Sequence, residues 1–237
     1  MSRVTLRAEN VSVRYGHATA LQSVAVSAQA GVITGFIGPN GAGKSSLVRA
    51  LYGSVPLASG SVEFEGQDVT SKRALERAKL GLAVVPQGRQ LFPKLTVYEN
   101  LQVIANLLKL DRAAVDAAME RFPILKTRAQ QLAGVLSGGE QQMLAVTRAL
   151  MREPSALLLD EVMTGLAPKI VEQLAEVFED LRDDGVAVVI ADPSVYVVEL
   201  LVEVAFILIR GEVAGFEQGD TIVSAYQDAM GISSGAL

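Results

Sequence analysis

The sequence predicts an α/β fold with a mixed, largely parallel sheet at its core, and three observations support this prediction. A short apolar run at 32–37 is followed by a glycine-rich loop and then by apolar residues at helical spacing. Apolar runs at 156–159 and 186–191 flank a helical pattern that begins at Pro168. Residues 4–37 show the alternation that is typical of strands with one exposed face. Alternating strands and helices indicate a sheet covered by helices on both faces.

The first part of the chain is predicted to contain mostly strands. Two alternating strands are separated by a turn at 15–17, and a second hairpin is predicted at 60–69. A helix at 71–80 and a strand at 82–85 complete this part.

The middle of the chain changes to a helical pattern. Thr96 and Glu99 form a capping box before one helix, and further helices are predicted at 111–120 and 124–132. In the last part, an apolar run at 195–209 is predicted to be a helix followed by a buried strand.

These elements predict a single domain over residues 1–237. Residues 1–88 and 152–237 would form an α/β core with an antiparallel β subdomain. Residues 89–151 would form an inserted helical subdomain. A hairpin turn at 210–211 and a C-terminal helix that begins at Asp220 complete the core.

Composition and charge exclude several classes of protein. The 237 residues are 50% apolar, carry a net charge of −5 and include no cysteine, so disulfides and thiolate metal sites are impossible. No cluster of lysine and arginine stands out, which argues against a nucleic-acid partner. Residues 1–5 lack the apolar core of a signal peptide, and the run at 195–209 is too short and too charged for a transmembrane span. We therefore do not expect the chain to cross a membrane by itself.

The loop at 38–46 reads Gly-Pro-Asn-Gly-Ala-Gly-Lys-Ser-Ser and follows the first buried strand. It fits a phosphate-binding pattern, in which glycines let backbone N–H groups converge on phosphates at a helix N-terminus. In this pattern Lys44 reaches the β- and γ-phosphates and the Ser45 hydroxyl binds Mg²⁺. The alternative is a glycine-rich turn with an exposed lysine. The flanking strand and helix favour a nucleoside triphosphate bound by Gly38, Pro39, Asn40, Gly41, Ala42, Gly43, Lys44, Ser45 and Ser46.

A second helix start with glycines lies at 136–142, which reads Leu-Ser-Gly-Gly-Glu-Gln-Gln. Ser137 and Glu140 form a capping box, and the start of a helix would by itself explain why both residues are present. Each glycine in the first turn weakens the helix by up to about 1 kcal/mol, so the pair favours a backbone that approaches an anion.

The apolar strand after this helix ends in the acidic pair Asp160-Glu161. A carboxylate at the end of a buried strand is poorly solvated unless it meets a cation, so we expect Asp160 to hold Mg²⁺. Glu161 would then be the general base that activates water for attack on the γ-phosphate. A helix-capping acidic pair is the alternative.

In this order, the three stretches resemble the ATP-binding cassette (ABC) ATPases, and the resemblance runs from Tyr15 to Tyr226. It implies that Tyr15 stacks on adenine and that Gln87 contacts Mg²⁺ and the attacking water and senses the transport partner. Without the family, Tyr15 could close a hairpin and Gln87 could be an ordinary loop residue. In this family, residues of one subunit close over the ATP of another, and the matching residues here are Ser137, Gly138, Gly139 and Glu140. Residues 164–168 resemble the D-loop, which meets its twin across the dimer.

Several further stretches resemble the smaller ATP-binding subunits of branched-chain amino acid importers, namely 86–89, 91–93, 95–101, 139–145 and 165–168. Subunits of urea and short-chain amide importers are the alternative. The resemblance implies ATP and Mg²⁺ as cofactors, with transmembrane permease subunits and a second ABC ATPase subunit as partners. A solute-binding protein would be an indirect partner. The chain would lie at the cytoplasmic side of the cell membrane, and the permease would dock around residues 87–101.

Two features depart from the family pattern. Val162 stands where the family usually has proline, and the single histidine, His17, is not placed to contact the γ-phosphate. Asp192 is aligned with the missing histidine, but we expect it to be an N-cap followed by Pro193 at the first helical position, since an ionised aspartate cannot donate to phosphate. These departures leave open an ATP-gated dimerising module with little turnover. A third hypothesis, an ATPase acting on DNA or ribosomes, is opposed by the acidic charge and the lack of cysteine.

Overall fold

A computed structural model describes residues 4–230, and two β-sheets form its framework. The strands are β1 (Val4–Tyr15), β2 (Ala18–Gln29), β3 (Ile33–Ile37), β4 (Ser59–Phe64), β5 (Gln67–Asp68), β6 (Leu82–Val85), β7 (Ala156–Asp160), β8 (Ala187–Ala191), β9 (Val204–Ile209) and β10 (Glu212–Gln218). The helices are α1 (Lys44–Tyr52), α2 (Ala74–Lys79), α3 (Val97–Leu108), α4 (Arg112–Ala118), α5 (Pro123–Thr127), α6 (Gly138–Leu150), α7 (Pro168–Asp183), α8 (Val195–Leu201) and α9 (Thr221–Ala229). The signal-peptide prediction for residues 1–5 falls largely outside the described residues.

The larger sheet has six strands in the order β10-β9-β3-β8-β7-β6. Its strands run parallel except for β10, which pairs antiparallel with β9 at one edge. Every residue of β3, β7 and β8 is buried, as expected for central strands with both faces covered. The prediction of a mixed, largely parallel sheet is confirmed.

The smaller sheet is antiparallel, with the strand order β2-β1-β4-β5. Its apolar residues alternate along β1 and β2 because only one face of this sheet is buried. Val11 and Val24 of this sheet share a core with Leu47 of α1 and Leu158 of β7. The smaller sheet and α1 therefore cover one face of the larger sheet.

The opposite face of the larger sheet is covered by helices. Leu101 of α3, Leu144 of α6 and Leu174 of α7 share a second core with Leu157 and Leu159 of β7. Helices α3 to α6 fall within the stretch that was predicted to be helical. The subdomain boundaries at residues 89 and 151 stay a prediction.

Some helices are shorter than the sequence predicts. Asp111 precedes α4 as its N-cap, because its side chain accepts a hydrogen bond from the Ala114 N–H, and α4 ends at Ala118 before one turn of 3₁₀ helix. Pro123 is the first residue of α5, because the first helical position needs no N–H donor. Helix α5 ends at 127 instead of 132, and α2 covers only six of the ten residues predicted at 71–80.

Helix α1 is held at its C-terminal end by a buried arginine from α2. Arg77 is 1% exposed. Its guanidinium donates hydrogen bonds to the carbonyl oxygens of Ala50 and Leu51, in the last turn of α1, and to those of Thr70 and Lys72. A cation at this end also complements the helix dipole. Arg77 therefore fixes the helix whose N-terminus follows the glycine loop.

The apolar run at 195–209 is divided between α8 and β9, as predicted. Within residues 4–230, the helices do not combine the length and apolar character that crossing a bilayer requires. Arg210 and Gly211 form the turn between β9 and β10, and α9 begins directly after Asp220, again as predicted.

Candidate active site

Several predicted functional residues meet at one edge of the larger sheet. Strands β3, β6, β7 and β8 run parallel, so their carboxyl ends lie on the same side. The glycine loop follows β3, and Gln87 lies in the loop after β6. Glu161 and Asp192 directly follow β7 and β8. This edge is where open α/β sheets bind their ligands.

The glycine loop needs glycine at two positions because neighbouring backbone is very close. A Cβ on Gly38 would lie 2.2 Å from the carbonyl oxygen of Leu208. A Cβ on Gly43, whose φ is +106°, would lie 2.9 Å from the carbonyl oxygen of Ala20. Gly43 is also the N-cap of α1 and has no side chain that could accept a hydrogen bond from the first turn. The first N–H groups of α1 are thus available to a ligand, as phosphate binding requires.

Lys44 is buried against the glycine loop. Its ammonium group donates hydrogen bonds to the carbonyl oxygens of Gly38, at 2.8 Å, and Pro39, at 3.0 Å. Burial lowers the pKa of Lys44, and the nearby carboxylates, Glu161 first among them, oppose this shift. A largely desolvated cation beside a glycine loop suits a polyphosphate, whose charge replaces the lost hydration.

Ser45 and Asp160 form the candidate Mg²⁺ site. The Ser45 hydroxyl donates a hydrogen bond of 2.8 Å to Oδ1 of Asp160, which is 2% exposed. Burial raises the pKa of the Asp160 carboxyl, and the hydrogen bond from Ser45 opposes this shift. Among residues 4–230 there is no cluster of three or more acidic, histidine or cysteine ligands. The two adjacent oxygens of Ser45 and Asp160 fit Mg²⁺, which commonly uses one or two protein oxygens and takes its other ligands from phosphates and water.

The Glu161 carboxylate lies between an amide and an ammonium group. Its Oε2 accepts a hydrogen bond of 2.7 Å from Nε2 of Gln87, and its Oε1 is 3.9 Å from Nζ of Lys44. Its backbone has φ +50° and is held by a hydrogen bond from its N–H to the carbonyl oxygen of Ala191. A left-handed backbone is uncommon for glutamate and persists where the surroundings over-determine it. The strand end thus places this carboxylate beside the glycine loop.

A cleft of about 430 Å³ opens over the glycine loop. The sequence interpretation did not include three of its residues, Thr19, Ala20 and Arg210. A turn at 210–211 was predicted, but only the fold shows that this turn packs against β2, where Gly211 approaches the carbonyl oxygen of Ala20. The residues that line the cleft are Thr19, Ala20, Gly41, Gly43, Lys44, Ser45, Ser46, Glu161 and Arg210.

Tyr15 lies near this cleft along the chain but does not line it. It is the last residue of β1, is 44% exposed, and pairs with Ala18 at the turn that precedes Thr19. An exposed ring on the hairpin that borders the cleft suits base stacking, but the adenine contact stays a prediction.

The predicted capping box at the start of α6 is confirmed. The Ser137 hydroxyl accepts a hydrogen bond of 3.3 Å from the Glu140 N–H, and the Glu140 carboxylate accepts one of 2.8 Å from the Ser137 N–H. This second hydrogen bond is the main reason why the pKa of Glu140 is lowered. Ser137 and Gly138 are exposed, and neither residue lines the cleft above the glycine loop of its own chain.

The two glycines at the start of α6 lie close to side chains of other segments. A Cβ on Gly138 would lie 3.1 Å from Nη2 of Arg89, and one on Gly139 would lie 3.0 Å from the Ile170 side chain. Packing against Ile170 therefore explains Gly139, whereas at Gly138 only the movable end of the Arg89 side chain is close.

The prediction that Asp192 is an N-cap is wrong. Helix α8 begins at 195, and its N-cap is Ser194, whose hydroxyl accepts a hydrogen bond from the Val197 N–H. The buried Asp192 carboxylate instead accepts hydrogen bonds from the Ser194 N–H, at 2.8 Å, and from the Thr164 hydroxyl, at 3.3 Å. The Asp192 side chain thus stabilises a turn between Asp192 and Ser194, directly before the helix. The side chains of Asp192, as a carboxylate, and Pro193 offer no donor to a phosphate.

Sequence comparison decides which family this arrangement belongs to. A model of the ABC transporter family matches residues 21–164, which include the glycine loop, the turn at Ser137 and the acidic pair. The chain belongs to the ABC transporter family. The predicted family is confirmed, and the chain is accordingly an ATPase subunit that works with transmembrane permease components.

Three relatives of this ABC transporter subunit cover nearly its whole length. It is 41% identical to the high-affinity branched-chain amino acid transport ATP-binding protein BraG of Pseudomonas aeruginosa, over 91% of this chain and 94% of BraG. It is 35% identical to the probable branched-chain amino acid transport ATP-binding protein LivF of Archaeoglobus fulgidus, over 88% and 90% of the two chains. It is also 32% identical to the lipopolysaccharide export system ATP-binding protein LptB of Escherichia coli K12, over 87% and 88%.

Solved structures confirm the ABC type of fold. The ADP conformation of MJ1267, an ATP-binding cassette of an ABC transporter, has a TM-score of 0.87 at 25% identity and covers 99% of this chain and 100% of that chain. The dimeric structure of MJ0796, a bacterial ABC transporter cassette, has a TM-score of 0.80 at 25% identity and covers 90% and 98% of the two chains.

Proposed function

We propose that this ABC transporter subunit hydrolyses Mg-ATP in the cleft above the glycine loop, with Glu161 as the general base. One observation carries this assignment. The Glu161 carboxylate lies 3.9 Å from Nζ of Lys44 and 2.7 Å from Nε2 of Gln87, at the end of the strand that also carries Asp160. A base, a cation for the phosphates and a polar group for water are thus within one site.

Each residue then has a defined task. The glycine loop binds the phosphate chain through its N–H groups, while Lys44 leaves its carbonyl partners for the β- and γ-phosphates. Gln87 and Glu161 hold the attacking water, and Glu161 accepts its proton as the bond to the γ-phosphorus forms and the bond to the ADP oxygen breaks. Ser45 and Asp160, with Gln87, would hold Mg²⁺, which neutralises charge that develops on the phosphates.

Replacing Glu161 tests the assignment directly. In Glu161→Gln the amide keeps the shape and can still pair with Gln87, but it cannot accept the proton. We expect kcat to fall by at least about 100-fold while Mg-ATP still binds, because general bases contribute roughly that much. Glu63→Gln, an exposed change on β4, is the matched control. Undiminished hydrolysis in Glu161→Gln would place the base elsewhere, and wild-type protein that dimerises with ATP without turnover would favour the ATP-gated module.

We further propose that two subunits sandwich ATP between the glycine loop of one and the Ser137 turn of the other. The Ser137 turn is an exposed helix N-terminus that does not line the cleft of its own chain, which supports a contact with a nucleotide held by another chain. Ser137, Gly138, Gly139 and Glu140 would form this contact in trans. The dimeric structure of MJ0796 supports this arrangement by analogy of fold.

Engineered cysteines can test the sandwich without background, since the natural chain has none. Asn40→Cys places a thiol at the exposed tip of the glycine loop, and Ser137→Cys places one at the α6 turn. In the Glu161→Gln background, we expect Mg-ATP to produce disulfide-linked dimers that are absent with ADP. Each single-cysteine variant is a control. A link formed only within one chain, or equally well without ATP, would contradict the sandwich.

We propose that the permease docks in a groove beside Gln87, between α2, α3 and α6. The groove has a volume of about 410 Å³. Leu75 and Leu107 line it and are 58% and 68% exposed. Arg89, Arg148 and Arg152 also line it, and none of its lining residues within 4–230 is acidic. A largely apolar permease segment that carries an acidic residue would fit this surface, on the cytoplasmic face of the membrane.

The solute we propose is a branched-chain amino acid, imported with the help of a solute-binding protein. BraG and LivF support this choice by their identity to the chain. A urea or short-chain amide importer is the alternative, and the match to LptB shows that similar subunits also serve export. The reconstituted transporter should hydrolyse ATP faster with a binding protein loaded with leucine, isoleucine or valine. Stimulation by urea or acetamide instead would select the alternative.

A further inference from the structure

The loop after Gln87 is tied to the helix that begins at the Ser137 turn. Nη1 of Arg89 donates a hydrogen bond of 2.8 Å to Oε1 of Gln141, on the first turns of α6. The backbone of Arg89 has φ +64°, and that of the next residue, Gln90, has φ +47°. Two successive non-glycine residues in the left-handed region are unfavourable, so their conformation depends on the contacts that hold them.

The Gln141 side chain extends this contact to the turn before Ser137. Its Nε2 donates hydrogen bonds to the carbonyl oxygens of Ala133, at 3.1 Å, and Leu136, at 3.3 Å. The absence of a side chain on Gly138 lets the Arg89 guanidinium approach, since a Cβ there would lie 3.1 Å from Nη2. One guanidinium and one amide therefore join the loop of Gln87 to the backbone of the Ser137 turn.

The other end of this loop reaches the catalytic carboxylate, through the hydrogen bond from Gln87 to Glu161. We propose that Arg89 is a positioning residue that couples this hydrogen bond to the orientation of the Ser137 turn. The inference rests on the proposed sandwich dimer, in which the Ser137 turn contacts the ATP of the partner. When the Ser137 turn contacts the ATP of the partner, movement of α6 would move Arg89 and reposition Gln87 beside the ATP of its own chain. The two sites would therefore hydrolyse ATP cooperatively.

A double-mutant cycle tests this coupling. Arg89→Met keeps an unbranched apolar stem but removes the donors, and Arg89→Lys retains one donor group. Gln141→Ala removes the acceptor together with the two hydrogen bonds that Gln141 donates to the backbone. Arg121→Met, an exposed change elsewhere among the helices, is the control. We expect Arg89→Met to lower kcat about tenfold and to lower the Hill coefficient for ATP from about 2 towards about 1. Binding of ATP to the monomer and the thermal midpoint should remain as in the control.

The cycle also separates coupling from independent effects. Gln141→Ala should lose at least as much, because it also breaks two hydrogen bonds to the backbone, and the double variant should be no worse than Gln141→Ala. Arg89→Lys should restore part of the cooperativity. Additive losses, or a full kcat and Hill coefficient in Arg89→Met, would overturn the inference. Failure of the proposed sandwich is distinguishable, because Glu161→Gln would then form no dimer with Mg-ATP even though Arg89 is intact.

Discussion

Two helix starts with glycine, those of α1 and α6, are built in opposite ways. At α1 the N-cap is Gly43, which has no capping side chain, and the loop before it is pressed against β2 and β9 by approaches that only glycine allows. At α6 the N-cap is Ser137, which exchanges two hydrogen bonds with Glu140 three residues later. The start of α1 is shaped by residues distant in the chain, whereas the start of α6 is capped by hydrogen bonds between residues three positions apart.

The difference suggests different lifetimes for the two phosphate contacts that we propose. The first N–H groups of α1 have no capping side chain and open onto the cleft, so this end is suited to hold the nucleotide throughout the cycle. At the exposed α6 turn the capping box already provides acceptors for the Ser137 and Glu140 N–H groups, so this turn can meet and leave a nucleotide at little cost. A permanent site and a transient one are what an opening and closing dimer needs.

The largest effect is expected from adding a methyl group at the two starts. Gly43→Ala would force a Cβ against the carbonyl oxygen of Ala20 at a φ of +106°. We expect a loss of about 3 kcal/mol in unfolding free energy and no ATP binding. Gly138→Ala meets only the flexible end of Arg89, and alanine favours helix by up to about 1 kcal/mol. It should be as stable as wild type in urea unfolding, and equal losses in both variants would refute the comparison.

The second effect concerns the far end of α1, where Arg77 donates to four carbonyl groups. Arg77→Met would remove the side-chain donor from all four carbonyl groups, of which Ala50 keeps the Gly53 N–H, and we expect a loss of about 3 kcal/mol in unfolding free energy. Arg73→Met, at an exposed position on the same segment, is the matched control. Equal midpoints in urea for the two variants would mean that α1 does not depend on its distant cap.

What could be predicted from sequence follows the same division. The capping boxes at Thr96 and Ser137 were predicted correctly, because each involves residues three positions apart. The buried strands were also predicted, since their apolar runs are continuous. Arg77, Arg210 and the contact of Arg89 with α6 were missed, because each depends on residues distant in the chain. Asp192 was assigned the wrong role because the actual cap, Ser194, lies only two residues away.

The third prediction separates the capping role of Ser137 from its proposed contact with ATP, by comparing the capping boxes at Ser137 and Thr96. Ser137→Ala and Thr96→Ala each remove a hydroxyl that accepts from an N3 N–H, so both should cost about 1 kcal/mol of unfolding free energy. Only Ser137→Ala should also lower ATP hydrolysis, because its hydroxyl is proposed to contact the ATP of the partner. The unfolding free energies and kcat values of the two variants check this. If hydrolysis falls equally in both, Ser137 acts only as a cap.

The smallest effect extends the comparison to two aspartates that hold turns. Burial raises the pKa of Asp192, whereas the hydrogen bonds from Thr70 to the exposed Asp68 lower the pKa of that carboxyl. A raised pKa means that the unfolded chain releases its proton first, so ionising Asp192 costs stability as the pH rises above its ordinary value. The lowered pKa of Asp68 has the opposite sign.

The two amide variants should therefore respond to pH in opposite directions. From about pH 4 to about pH 7, the stability of Asp192→Asn relative to wild type should increase, because the amide avoids a buried charge. That of Asp68→Asn should decrease as the pH rises to about 4 and change little above it, because a carboxyl with a lowered pKa gains its stability below the ordinary value and the amide lacks the charge that the turn favours. Urea unfolding across both pH ranges measures the two trends. Trends of the same sign would mean that the hydrogen bonds from Thr164 and Ser194 offset the burial of Asp192, so that the buried turn is as well adapted to its charge as the exposed turn of Asp68.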